Sequence, residues 1–209
     1  MDTYKTIIDD MTTQFTEKHS RFIGYVSHTE TDEEAVAFID KIRSQHGDAR
    51  HNCYAYVLKS EGRTRYSDDG EPHGTAGKPI LDVINGFELK DVTVVVTRYF
   101  GGILLGTGGL VRAYQKAAKD TLDAAEKYLM VPGACFLVSC DYSNYQKLEN
   151  LINEFSGSIE NTVFEDNVKI YFSIAKSREE EFLATLKDRF FSALTAEKTG
   201  EKYTKQIIF

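Results

Sequence analysis

Between positions 98 and 112 the chain reads Arg-Tyr-Phe-Gly-Gly-Ile-Leu-Leu-Gly-Thr-Gly-Gly-Leu-Val-Arg, and five of its 15 glycines fall inside that stretch. Residues of these types can hold an anion. Glycine has no side chain to keep a ligand off its amide, and arginine carries a charge at every accessible pH. The order is also suggestive, because a β-branched run (92–96) precedes the glycines and a helical period follows them. A strand, a glycine-rich loop and a helix start turn backbone N–H groups and the positive end of the helix dipole toward one point. The candidate residues for binding an anion, a nucleic acid or a partner are therefore Arg98, Gly101, Gly102, Gly106, Thr107, Gly108, Gly109 and Arg112.

Neither standard phosphate fingerprint fits. Gly101 and Gly106 have P-loop spacing, but Thr107-Gly108 stands where Lys-Ser/Thr is needed to reach the outer phosphates. Gly106-x-Gly108 opens a dinucleotide pattern, and Val111 then occupies the third glycine's place. The competing explanation is structural: these glycines permit positive φ and close packing on a sheet.

Two polar groups are secondary candidates. Asp68, Asp69, Glu71 and His73 offer oxygen ligands for Mg²⁺ or Ca²⁺, although their spacing is not that of an EF-hand and short acidic loops are commonly solvated turns. His51 and Cys53, two apart on an extended segment, would share a face, which permits a thiolate pair or half a zinc site. No second Cys/His pair follows at finger spacing, so a buried, inert Cys53 is the commoner outcome. There is no Gly-x-Ser-x-Gly elbow for a serine nucleophile. On these grounds no catalytic residue, metal or cofactor is assigned.

The chain that positions these residues has 209 residues, 42% of them hydrophobic, and a net charge of −7 with a slight acidic excess in both halves. No global basic field draws it to nucleic acid or to an acidic membrane. Three cysteines make a sparse, odd set that suits a reducing compartment rather than a disulfide framework. The first residues lack the basic-then-apolar layout of a signal peptide, and no apolar run is long enough to cross a bilayer. A cytoplasmic protein is expected.

Hydrophobic periodicity predicts a hairpin over 12–15 and 21–26, then a helix opened by the capping box Thr31-Asp32-Glu33-Glu34. Next come a hairpin over 52–58 and 63–66, a short helix over 79–84 and a strand over 92–97. That strand is apolar on both faces and therefore central. Leu110, Ala113, Tyr114, Ala117, Ala118, Thr121, Leu122 and Ala125 mark one face of a long helix. Val131-Pro132-Gly133 is the expected boundary between domains 1–131 and 135–209. Beyond it the pattern is strand, helix (144–155), strand (158–164), strand (168–175), helix (179–191) and a strand near 203–209. The first of these helices should bury Tyr145, Leu148, Ile152 and Phe155, the second Phe182, Leu183, Leu186 and Phe190. This is the βαββαβ, ferredoxin-like plan.

The runs His51–Tyr56, Ser67–Leu81 and Val94–Tyr114, with its Arg-Tyr-Phe-Gly-Gly and Gly-Thr-Gly-Gly-Leu-Val-Arg, together resemble the YigZ/IMPACT family over about residues 20–127. The remainder is similar to the small carboxy-terminal domain of bacterial members. The resemblance implies an α+β protein of two domains: an amino-terminal α/β sandwich like the second domain of a small-subunit ribosomal protein, and a ferredoxin-like domain like that of elongation factor G. Eukaryotic relatives restrain a starvation-sensing kinase through an additional amino-terminal domain, which cannot be carried over to this chain. His73 stands where the family suggests a small residue such as serine.

Three functions from different classes follow. The first is a non-catalytic translation regulator that binds the ribosome, RNA or a ribosome-bound factor. The second is an enzyme or binder of a phosphorylated small molecule or nucleotide, because the first fold also serves small-molecule kinases. The third is a peptide-binding regulator that uses the acidic loop. Neither the oligomeric state nor the specific partner is legible.

Overall fold

The computed structural model describes residues 2–207 and separates the chain into two compact units, Tyr4–Tyr128 and the residues from Leu129 onward together with those preceding Tyr4. The first unit contains β1 (Tyr4–Ile7), β2 (Met11–Glu17), β3 (Ser20–His28), α1 (Asp32–Gln45), β4 (His51–Val57), β5 (Thr64–Ser67), α2 (Gly77–Gly86), β6 (Val92–Tyr99) and α3 (Thr107–Ala124). Its sheet runs β2-β3-β6-β4-β5, with antiparallel pairing throughout.

β6 lies in the middle, and every residue from Val92 to Arg98 is buried. The reason is the layering. On one face Val92, Val94 and Val96 pack with Ile80 and Ile84 of α2 and with Leu110, Tyr114 and Ala118 of α3. On the other, Val95 packs with Ala35, Phe38, Ile39 and Ile42 of α1. A strand covered on both sides cannot alternate in polarity, and this one does not. The small side chains of Ala113, Ala117 and Ala118 let α3 lie close on the sheet.

The N-terminus of α1 is capped by Thr31, whose hydroxyl accepts from the Glu34 amide at 3.2 Å. Glu34 reaches back one residue further than the capping box predicts, accepting from the amide of Glu30 at 2.7 Å. α3 starts at Thr107, earlier than its apolar period suggests. Intrahelical bonding begins only with the Leu110 amide, so the amides of residues 107–109 have no acceptor within the helix.

The second unit takes up β7 (Lys127–Cys140) from Leu129 onward, α4 (Tyr142–Glu154), β8 (Ser158–Phe164), β9 (Val168–Ala175), α5 (Glu179–Arg189) and β10 (Ala196–Ile207). β9 is antiparallel to both β7 and β8, and β10 pairs with β7. That order, β10-β7-β9-β8, is the ferredoxin-like arrangement. Alternate residues Phe136, Val138 and Cys140 on β7, and Val168, Ile170, Phe172 and Ile174 on β9, form one apolar face under Leu148, Ile152 and Phe155 of the first helix segment and Phe182, Leu186 and Phe190 of the second.

Several details depart from the periodicity. Val131-Pro132-Gly133 lies within β7, and the two units divide shortly before it, between Tyr128 and Leu129. On α5 Leu183 is exposed, and on α4 Leu151 is buried while Tyr145 packs only at the margin. The last strand begins at Ala196, seven residues before Tyr203, and the end of the expected strand, 208–209, lies outside the described residues.

Candidate functional site: a cleft at the start of helix α3

The glycines of the 98–112 stretch serve different ends. Gly101 is a packing residue: a Cβ there would stand 2.0 Å from the carbonyl carbon of His19, and its amide donates to Ser20 Oγ at 3.2 Å. Gly102 and Gly106 hold positive φ, +84° and +73°. Gly106 is the residue before α3, and it brings no side chain to cap the helix. The first intrahelical bond runs from the Leu110 amide to the Gly106 carbonyl at 2.9 Å. The amides of Thr107, Gly108 and Gly109 therefore point out of the helix end with no side-chain acceptor supplied. Thr107 and Gly108 are exposed, and Gly109 is half-buried.

A cleft of about 380 Å³ opens beside this helix end. Gly106, Thr107 and Leu110 form one wall, His51 and Arg50 another, and Glu71 and Arg98 the floor. Phe100 and Leu104, which also line it, are 45% and 81% exposed and give the cleft an apolar lip.

Arg98 is not the open guanidinium that its place in the stretch suggests. It is buried, its Nη1 donates to Glu71 Oε1 at 2.6 Å, and the pair is almost entirely shielded from water. Tyr114 donates to the same carboxylate oxygen at 2.8 Å, and His51 Nε2 stands 4.0 Å from it. Stripped of its counter-charge in so dry a place, Arg98 would be very costly, which is why Glu71 is folded inward rather than solvated. The Nε of Arg98 is nonetheless a buried donor with no acceptor among the described residues.

Arg112 is exposed and, among the described residues, forms no ion pair; the same holds for Arg50. Arg112 lines a smaller groove on the other side of α3's first turn with Phe15, Lys18 and Lys116. The helix end is thus flanked by Arg50 and Arg112, not by Arg98 and Arg112. Sequence reasoning missed Arg50, and only its position directly before His51 hinted at it.

The acidic loop is neither a metal cradle nor a solvated turn. Asp68 Oδ1 accepts from the amides of Ala76 at 3.0 Å and Gly77 at 2.9 Å, and its Oδ2 accepts from that of Gly74 at 2.8 Å. Asp69 accepts from the Asn52 amide at 2.7 Å and from Arg43 at 3.1 Å. The His51 Nδ1–H donates to the Asp69 carbonyl at 2.9 Å, and the Cys53 thiol donates to that of Asp68 at 3.0 Å. His73 alone among these residues is fully exposed, with its Nδ1 3.8 Å from Asp68. Among the described residues no cluster of three or more His, Cys, Asp and Glu could hold a metal. Burial pushes the Cys53 thiol and the Tyr114 hydroxyl well above their usual range, so neither is a nucleophile. His51 and Cys53 belong to one scaffold, but the thiol faces the loop carbonyl and not the imidazole.

Asp68 secures the loop to the start of α2. Burial by itself would raise its carboxyl, but the amides of Gly74, Gly77 and Ala76 outweigh that and hold it below its ordinary 3.8. A carboxylate with a depressed folded value stabilises above the unfolded value and loses that contribution as the pH falls through the folded one. Asp68→Ala should cost about 2 kcal/mol at neutral pH, since it strands several amide donors. Urea unfolding should show the gap to the parent protein closing as the pH falls below 3.8. A constant gap would remove the charge from the account.

The fold and this site define a two-domain α+β protein whose first domain carries a cleft over a buried ion pair at a helix start. Residues 18–122 match the Impact N-terminal domain, and residues 138–190 match a domain of unknown function, DUF1949. An IMPACT family member of Haemophilus influenzae is 40% identical, over 82% of this chain and 85% of its own length. The IMPACT family member YigZ of Escherichia coli is 38% identical, with the same two shares covered. A crystal structure of a hypothetical protein superposes with a TM-score of 0.62 at 34% identity, covering 96% of this chain and 98% of that one. The chain belongs to the IMPACT family. No helix among the described residues is long and apolar enough to cross a membrane.

Proposed function

We propose that this protein is a non-catalytic, translation-associated binding protein, and that the cleft at the start of α3 seats a phosphate of RNA. The observation that carries the reading is the uncapped helix end, which opens on a cleft also lined by Arg50, exposed and without an ion pair among the described residues. Such a concentration of unused donors favours an anion. The exposed Phe100 adds a ring on which a base can stack. The family resemblance supports the setting, since both domains have the plans of translation proteins.

The site is local. With a net charge of −7 the protein offers no extended basic surface, so few phosphates are held and affinity should be modest. Titrating the intact protein with labelled single-stranded RNA at low salt tests this. Binding should weaken with salt with a shallow slope, corresponding to about one to three phosphates. Arg50→Ala should reduce both affinity and slope. No binding at the lowest salt would dismiss RNA as the ligand.

A second reading, a phosphorylated small molecule or nucleotide, is favoured by the cleft's concavity and its buried polar floor. A thermal-shift series with nucleotides would raise the melting temperature if it holds.

A further inference from the structure

We infer that β2 is a self-association edge: it pairs antiparallel with the β2 of a second copy of this chain, joining two five-stranded sheets into one. The inference is independent of what the cleft holds.

The first observation is the edge itself. β2 ends its sheet and has β3 as its one strand neighbour among the described residues. Lys18 and His19 join the two strands at positive φ, +46° and +63°, the two-residue turn that makes Glu17 and Ser20 a hydrogen-bonded pair. Such pairs recur at every second residue, so Met11, Thr13, Phe15 and Glu17 turn their backbone groups to β3. Thr12, Gln14 and Thr16 turn theirs away from the sheet. All three are exposed, and among the described residues no bond outside the ladder reaches their backbone.

Sheet edges are ordinarily blunted by shortness, charge, proline or a bulge. At the opposite edge β5 is four residues long and carries Arg65. In the second unit β8 shifts register between Ile159 and Asn161. β2 has no such protection. Its seven residues pair with β3 without a shift, and Met11 to Thr16 hold neither charge nor proline.

The charges at the two ends identify the occupant. Antiparallel pairing that uses all three outward residues sets Gln14 opposite the second copy's Gln14 and Thr12 opposite its Thr16. That register also sets Asp10, exposed and just before β2, opposite the second copy's Lys18, just after it. Lys18 lines the groove with Phe15, Glu17, Arg112 and Lys116, three cations to one carboxylate. Among the described residues neither Lys18 nor Arg112 forms an ion pair. A two-fold axis through Gln14 makes the opposite-charge contact at both ends and places no like charges at its centre.

The test is sedimentation velocity of the intact protein over a concentration series at low salt. A monomer–dimer equilibrium is expected, with a dissociation constant on the order of 10 μM for so limited a contact. Gln14→Pro removes an outward N–H and no bond to β3, a position where an edge strand tolerates proline. Because the axis places this residue at the contact in both copies, dimerisation should weaken about tenfold or more. Asp10→Lys and Lys18→Glu should each weaken it, and the two together should recover part of the loss.

A monomer throughout the series would overturn the inference and leave the edge to a different partner. Undiminished dimerisation of Gln14→Pro with native circular dichroism would overturn the placement on β2. Where that variant does not fold, the charge variants decide: loss in each with recovery in the pair supports the inference, and equal dimerisation in all three overturns it.

Discussion

Glu71→Ala should be among the most damaging single substitutions in this protein, costing about 3–5 kcal/mol because it leaves a buried guanidinium without its counter-charge. For a unit of this size the melting temperature should fall by on the order of 10 °C. The reasoning begins with burial. The side chains of Arg98 and Glu71 are 6% and 3% exposed, so water cannot replace the lost partner. Tyr114 also loses the acceptor for its hydroxyl, which is fully buried between sheet and helix. The attraction between the charges is not itself the measure of the loss. Much of the penalty is desolvation already incurred by Arg98, which only its partner offsets. The double variant Glu71→Leu with Arg98→Met should accordingly be more stable than Glu71→Ala alone. Thermal and urea unfolding of the single and double variants close the cycle. If the single variant melted within a degree of the parent, water would have to reach Arg98 and the floor of the cleft would be open.

This pair also marks the limit of what the sequence discloses. The layers were legible: β6 is apolar without alternation because helices cover both its faces, and the alanine stripe of α3 reflects its close seat on the sheet. The second unit was legible for the same reason, its even-numbered residues on β7 and β9 forming the floor under two amphipathic helices. Glu71 and Arg98, by contrast, are 27 positions apart on a loop and a strand, and no local period relates them. Composition made the 68–73 loop look solvated. What turns it inward is a set of backbone amides and two arginines, Arg43 and Arg98, and backbone donors leave no trace in residue type. Arg50 was invisible for a similar reason, because only the packing of β4 beside β6 brings it near the start of α3. The glycines were visible as a group but not by role. Conformation, close approach and ligand access all select the same residue, and only coordinates separate them.

That separation yields the other large effect. Gly101→Ala should cost more than about 3 kcal/mol, at or beyond the upper end for overpacking, because the new methyl meets backbone and not side chain. Its ideal position is 2.0 Å from the His19 carbonyl carbon, 2.1 Å from that carbonyl's oxygen and 2.4 Å from the Ser20 nitrogen. Little can yield. His19 and Lys18 make the tight β2–β3 turn at positive φ, and Ser20 is fully buried at the start of β3. Relief would require β3 and β6 to part at their Arg21–Tyr99 end, next to the Arg98–Glu71 floor. Gly102→Ala has open space around it, so its cost is only that of holding alanine at φ +84°, about 1–2 kcal/mol. Gly108→Ala lies in a helix with room for its methyl and should gain up to about 1 kcal/mol. Urea midpoints should therefore rank Gly108→Ala at or above the parent, Gly102→Ala below it and Gly101→Ala last. A normally stable Gly101→Ala would mean that the β2–β3 turn and the end of β6 do not meet as they stand here. The cleft would then lose the rigid floor that holds Arg98 against Glu71.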